Sequence, residues 1–398
     1  MANNHTVSKE FIVFTSCSMI LTALGIDIML PAFAELRHHF SMVNDSTQTA
    51  KLVSYFFMGQ ITQIGFGYLT DKMGRLPILR IGVILYITSG FATVYAPSLE
   101  WMFVFRFISG MGAAAVLMTS IASVRDRYAG DAMARIMSLV LTIFLFTPVV
   151  APTLGALVLK FYSWKWVFLI PPSFAILVFV WSFRIQESHP KEARMHVKIE
   201  DLWPKLKAIL TDFHFLRYAT IATLLFSILS SYVSSSERIV GEIYQSPAWF
   251  PVIFGAIGLL MAVFSLGNSF FTKKFGAKKT LWYILLLYFG VSVLLFSSTI
   301  LWGNPPPILC FFVLIAMLMA LTTAGDPNSS AIALEFLGDN AGLAASVYGT
   351  IFFFIGSGIG AAISSQLTGG VYPLIISALF LSLGAVLLAW GDRASVTR

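Results

Sequence analysis

Gly67-Tyr68-Leu69-Thr70-Asp71-Lys72-Met73-Gly74-Arg75-Leu76-Pro77 is a short charged turn set between two long apolar runs. Its glycines permit a tight reversal and a close approach of the flanking segments. The runs on either side are each near the ~20 residues that a helix needs to cross a bilayer core. Such a turn joins two membrane helices at the water boundary. The pattern Leu69-Thr70-Asp71-Lys72-Met73-Gly74 returns in the second half of the chain as Phe271-Thr272-Lys273-Lys274-Phe275-Gly276, again directly after an apolar run.

Outward from these two turns, the chain divides into twelve apolar blocks near 11–33, 48–70, 78–97, 99–124, 134–158, 165–184, 217–237, 250–272, 280–301, 307–328, 342–366 and 371–390. All are expected to be helices, because open strands in hydrocarbon leave backbone groups without partners. The one long polar stretch, 185–216, separates six spans from six, so the expected organisation is a bundle over 1–184, a linker and a bundle over 217–398. Within the linker, Trp203, Leu206 and Leu210 form an apolar stripe suited to the lipid interface. Two equal sets of spans with matching turns indicate an internal repeat.

Composition excludes a soluble protein: 57% of residues are hydrophobic, only 11% are charged and the mean hydropathy is +0.82. That leaves too little charge to cover a water-exposed surface of this size. The net charge of +7 does not indicate nucleic acid, because its bias follows the membrane. Of the 26 Lys and Arg residues, 20 fall in the segments on one side, five fall on the other, and Arg106 lies within a span. Basic residues collect in cytoplasmic segments, so both termini are expected in the cytoplasm. The N-terminus has too weak a basic region for a signal peptide, and the first apolar block is expected to be retained. Cys17 and Cys310 sit apart in apolar blocks, offering neither a metal-ligand spacing nor a disulfide framework.

Ionisable groups deep in a bilayer are costly and commonly functional, and Asp27, Arg106 and Asp326 stand out. With a rise of ~1.5 Å per residue, Asp27 in span 1, Arg106 in span 4 and Tyr55 in span 2 share a layer roughly 20–24 Å from the inner ends. A sheltered acid beside a permanent cation can exchange a proton for a polar or cationic ligand. The other reading of Asp27 and Arg106 is a static pair that fixes helix packing. Asp326, before Pro327, is expected to reach water at the inner end of span 10, and Glu237 and Glu242 at the outer end of span 7. Tyr232, in the run Ser230-Ser231-Tyr232-Val233-Ser234-Ser235-Ser236, is the second-half candidate for a central cavity, since a buried phenol requires a partner. The G-x-G-x-x-A run at Gly356–Ala361 follows no strand, so close helix packing explains it better than a dinucleotide site. No P-loop and no set of nucleophile, base and orienter is found.

The opening turn closely resembles the major facilitator signature G-x-L-x-D-r-x-G-r, with Leu76 at the position of its second basic residue. The resemblance implies that Gly67, Asp71, Gly74 and Arg75 belong to a cytoplasmic gate, where Asp71 and Arg75 form a charge-assisted lock with neighbouring helix ends. Arg106-Phe107-Ile108-Ser109-Gly110-Met111-Gly112-Ala113-Ala114 resembles the family's R-x-x-q-G-x-g-a-a, whose arginine is implicated in proton coupling. Thr147-Pro148-Val149-Val150-Ala151-Pro152-Thr153-Leu154-Gly155-Ala156 resembles the antiporter motif around G-P-x-x-G-G, which the family associates with export. There Pro148 and Pro152 kink the helix and Gly155 admits a close neighbour, while Ala151 and Ala156 replace two glycines. Gly25-Ile26-Asp27-Ile28-Met29-Leu30-Pro31-Ala32 and the Tyr55 to Gln63 spacing resemble the bicyclomycin-resistance (Bcr/CflA) group of drug:proton antiporters.

The resemblance implies an all-α membrane protein with the major facilitator fold, its twelve transmembrane helices in two pseudo-symmetric bundles. The expected function is proton-coupled export of small amphipathic compounds from the bacterial inner membrane, by a monomer without a cofactor. Asp27 and Arg106 would couple the proton, and Tyr55, Gln63 and Tyr232 would line the substrate site. Export of an endogenous metabolite, a non-translocating sensor and a membrane enzyme are the rival readings.

Overall fold

The computed structural model describes residues 9–41, 46–128, 130–194 and 199–396. Residues 1–8, Lys198 of the linker and the terminal Arg398 lie outside the described residues, the last two being part of the charge count. Every regular element among the described residues is helical. In the first half, Lys9–His39 forms span 1, Arg75–Val94 span 3, Leu99–Arg127 span 4, Arg135–Leu159 span 5 and Trp164–Trp181 span 6. In the second half, Phe213–Ile243 forms span 7, Pro247–Phe275 span 8, Ala277–Trp302 span 9, Ile308–Leu334 span 10, Ala341–Ser365 span 11 and Tyr372–Gly391 span 12.

Span 2 completes the set but is built differently. The helix Ala50–Gly59, a 3-10 turn over Gln60–Thr62 and the helix Gln63–Met73 follow one another without a gap. Gln60, Thr62 and Gln63 interrupt its apolar run, and neither helical piece is long enough to cross alone. Span 8 opens on a 3-10 turn over Pro247–Trp249, and three further spans carry an irregular turn. Span 1 has a 3-10 turn over Leu30–Ala32 around Pro31, span 7 a π turn over Ile239–Ile243 and span 11 a π turn over Ile351–Ile355. Spans 1, 2 and 7 run past the ends expected from hydropathy, because helical hydrogen bonding continues beyond the apolar block.

Spans 1–6 pack chiefly on one another, as do spans 7–12. Between the two sets, span 5 lies along span 8 and span 2 along span 11. Glu10 at the start of span 1 pairs with Arg184 after span 6 at 3.2 Å, and Arg217 of span 7 lies beside Gly391 of span 12. This end of the molecule is called the terminal face, and the opposite end the distal face. The linker helix Ile199–Thr211 exposes Trp203 and Leu210, but Ile209 is buried and Leu206 half-buried against the core. The expected lipid-facing stripe is therefore split, with Leu206 turned inward. Asp212 then caps span 7, accepting a hydrogen bond from the Phe215 amide at 2.8 Å.

Candidate functional site

Asp27 is the last residue of the regular helix Lys9–Asp27, at the point where span 1 breaks. Pro31 lacks an N–H, and the break leaves carbonyls of the last turn without helical donors. Arg106 takes one of them: its Nη2 donates to the Gly25 carbonyl at 2.7 Å, while its Nε donates to the Leu52 carbonyl of span 2 at 3.3 Å. The guanidinium also lies over the Phe56 ring, 4.5 Å from the centroid. A fixed positive charge is thus held at the negative end of a helix dipole, the end at which the Asp27 carboxylate is disfavoured. The direct Asp27–Arg106 ion pair is not made. Arg106 acts on the backbone of span 1 from inside the first bundle, and Asp27 faces the other way.

Small residues make this reach possible. A Cβ at Gly110 would collide with the Phe56 carbonyl of span 2, and one at Gly59 with the Phe107 carbonyl of span 4. A Cβ at Gly155 would likewise strike the Ile28 carbonyl in the break itself. Gly155 of the antiporter-like motif therefore seats span 5 on span 1 one residue beyond Asp27. Pro152 is buried nearby, whereas Pro148 packs toward Gly258 of span 8 and borders the central cavity.

That cavity, of about 350 Å³, lies between the two halves and is walled by residues from spans 1, 2, 4, 5, 7, 8, 10 and 11. Asp27 opens on it, as do Phe57, Phe144, Phe226, Phe254, Phe352 and Phe353. Tyr232 is 1% exposed and also lines it, with a hydroxyl that has no hydrogen-bond partner. Its volume is in the range of sites that enclose small organic molecules. Among the described residues, no group of three His, Cys, Asp or Glu side chains is placed to hold a metal.

Tyr55 and Gln63 lie elsewhere. Tyr55 is 37% exposed and stacks on Phe103 of span 4, with centroids 5.0 Å apart. Two residues along a helix turn by about 200°, so Phe57, and not Tyr55, reaches the cavity. Gln63 is buried where spans 2 and 11 meet. Its Nε2 donates to Gln60 Oε1 at 3.0 Å and its amide fills the space beside Gly349. It packs the two halves together rather than lining the cavity.

At the terminal face, Arg75 gathers three carboxylates. It pairs with Asp71 and with Asp126 at the end of span 4, the latter at 2.8 Å through Nε. Glu187, after span 6, accepts hydrogen bonds from the Arg75 and Leu76 amides, each at 3.0 Å, and so caps span 3. Gly74 adopts φ +102°, which side-chain-bearing residues rarely take, and stands against Glu187 and Arg194. This lock fastens parts of the first half to each other. Of the four gate residues, Gly67 meets the second half, packing against Ser346 of span 11. Asp126 carried no motif signal, and its role follows from proximity in space.

Two acids depart from the expectation that they reach water. Glu237 is 7% exposed and forms a two-pronged pair with Arg37 of span 1, at 2.8 and 3.1 Å. Arg37 also pairs with Glu242 at 3.0 Å, so spans 1 and 7 are latched at the distal face. Asp326 lines the central cavity and accepts a hydrogen bond from the Tyr348 hydroxyl at 2.8 Å. It does not snorkel because span 10 continues to Leu334, leaving Asp326 roughly 12 Å short of the helix end.

These features agree with the comparisons to known proteins. A family profile described as Major Facilitator Superfamily matches residues 15–361. The bicyclomycin resistance protein homolog of Haemophilus influenzae is 26% identical over 372 residues, covering 92% of each chain. The multidrug resistance protein MdtL of a Shewanella species is 22% identical over 288 residues, covering 71% of each. A partially occluded inward-open form of the xylose transporter XylE from E. coli shares the fold, with a TM-score of 0.76 at 13% identity over 96% of this chain and 97% of that chain. With an all-helical architecture, a cavity between two halves and a profile match over most of its length, the chain is a multi-pass membrane transporter, not an enzyme, and it belongs to the Major Facilitator Superfamily.

Proposed function

We propose that the protein is a proton-coupled exporter of small amphipathic compounds, working by alternating access in the bacterial inner membrane with both termini cytoplasmic. The observation that carries this reading is Asp27: a carboxyl group at a helix break, facing a largely apolar cavity between the two halves. Among the described residues its carboxylate has no ion-pair partner, so a proton or a ligand is what neutralises it there. The drug-resistance relatives support export of compounds of this class.

In this cycle a proton from outside neutralises Asp27 and releases substrate, and loss of that proton to the cytoplasm restores binding. Arg106 holds the broken end of span 1 and supplies a steady positive field, acting through position rather than by direct pairing. Span 5 senses the same break through Gly155. On the proposed orientation, the Arg37–Glu237 latch closes the outer side.

The test is transport by purified protein in liposomes with an imposed pH gradient. Asp27→Asn is expected to abolish gradient-driven accumulation of substrate while leaving equilibrium exchange measurable. Undiminished gradient-driven transport by the variant removes Asp27 from the coupling role. Comparing compounds retained and released by cells with and without the protein separates drug export from export of an endogenous metabolite.

A further inference from the structure

The central cavity carries charge of one sign. Among the described residues, Asp27 and Asp326 are the charged side chains in its wall, and no Lys, Arg or His lines it. They come from different halves, span 1 and span 10. Among the described residues neither carboxylate has a cationic partner. Tyr348 of span 11 donates to Asp326 Oδ1, and Phe352, one turn further on, stacks near Tyr348 and borders the cavity. One carboxylate oxygen of Asp326 is thereby fixed by a neutral phenol, with its charge left uncompensated.

A second observation points to a ligand. Thr22, one turn before Ile26, and Tyr232 both line the cavity, and their buried hydroxyls have no hydrogen-bond partner. Buried polar groups in proteins are nearly always satisfied, so orphans on a cavity wall mark places that a ligand or water fills. The rest of the wall is chiefly aromatic and aliphatic. An anion entering this chamber meets two like charges, and a neutral molecule leaves both acids unmatched. An apolar cation instead offsets the acids and offers its charge to ring faces as well.

We infer that Asp326, oriented by Tyr348, is a second acidic anchor of the transport cavity, and that the cavity takes apolar organic cations such as protonated or quaternary amines with aromatic bodies. The cationic centre is held by Asp27 and Asp326, and the body packs on Phe57, Phe226, Phe352 and Phe353. The inference deepens the export reading and rests on it for direction, but binding itself requires no gradient. The ionisable groups facing the site are Asp27 from span 1, Asp326 from span 10 and Tyr232 from span 7, with Tyr348 of span 11 behind Asp326. Protonation of the two acids removes the anchor, so cation affinity falls as pH falls.

The experiment measures equilibrium binding of radiolabelled tetraphenylphosphonium to the purified full chain in nanodiscs, with neutral triphenylphosphine oxide as comparator. Asp326→Asn is expected to raise the Kd for the cation about tenfold, as loss of one charge contact implies, and to flatten its pH dependence. Asp326→Glu is expected to restore most of the affinity. Tyr348→Phe, which keeps the charge but frees the carboxylate, is expected to cost about threefold, the effect of one modest hydrogen bond. Binding of the neutral comparator is expected to stay unchanged in all three. An unchanged cation Kd in Asp326→Asn, or equal affinity of the unaltered protein for cation and comparator, overturns the inference. If Asp326→Asn is not monodisperse, Tyr348→Phe decides, and an unchanged Kd there overturns it. Failure of Asp27 to couple transport appears only in the gradient assay, so the two readings fail separately.

Discussion

The turns after span 2 and span 8 have nearly the same backbone and opposite chemistry. Gly74 lies at φ +102°, ψ 164° and Gly276 at φ +81°, ψ 156°, each starting the next span. Around Gly74, Arg75 draws in Asp71 and Asp126 while Glu187 caps the helix, so the turn is tied to span 4 and to the start of the linker. Around Gly276 the ties are neutral. Asn328 donates to Asn268 at 2.7 Å and Thr272 donates to Asn328 at 2.8 Å, joining spans 8 and 10 without charge. The ion pair nearby, Lys278 with Glu335 at 3.8 Å, is between half-exposed side chains and adds little. An internal repeat thus preserves the path of the chain while each copy closes its own turn by different means. The fold asks for a left-handed glycine at that corner, and how the corner is fastened is free to diverge.

The contrast extends to helix packing, where the largest effect is expected. Gly110→Leu forces a side chain into the Phe56 carbonyl and is expected to destabilise by more than ~3 kcal/mol, whereas Gly290→Leu, in open space, is expected to leave the melting temperature unchanged. Fluorescence-detected thermal unfolding in detergent checks both, and equal losses would break the distinction between the halves. Next in size is the charged corner. Arg75→Ala strands the Asp71 and Asp126 carboxylates and is expected to cost about 2 kcal/mol, below the range for fully buried pairs because the Asp71 side chain is 44% exposed. Lys278→Ala, by contrast, is expected to stay within about 0.5 kcal/mol. At the neutral network, Asn328→Ala removes the hydrogen bonds shared with Asn268 and Thr272, at the low end of the usual net range, about 0.5 kcal/mol each, so the loss is expected to fall between those of Arg75→Ala and Lys278→Ala. A loss there as large as at Arg75 would mean that the amide network fastens its corner as firmly as charge does.

The architecture was legible because apolar runs of spanning length repeat with polar turns between them, and no packing detail is needed to read that pattern. Asp27 was legible as an acid inside such a run. The rest depended on helical phase and on distant partners. Tyr55 and Phe57 look equally placed in the sequence, but only the second faces inward. Asp326 looked like a helix end because Pro327 follows it, yet span 10 accepts that proline and runs on to Leu334. The partner that buries Glu237 is Arg37, on another span in the other half, and no local signal announces such a pair. Arg106 stands out in the sequence as a cation inside an apolar run, but its hydrogen bonds go to backbone carbonyls, which carry no residue-specific trace.

Spans 1, 2, 7 and 11, which line the central cavity, each contain a 3-10 or π turn. Such turns wind the chain tighter or looser than an α-helix and interrupt its regular ladder of bonds, which makes them natural joints. Within these four spans compliance is therefore concentrated at short stations, residues 30–32, 60–62, 239–243 and 351–355. The uninterrupted helices around them act as stiff levers, so a small change of winding at one station swings a long arm at the membrane surface.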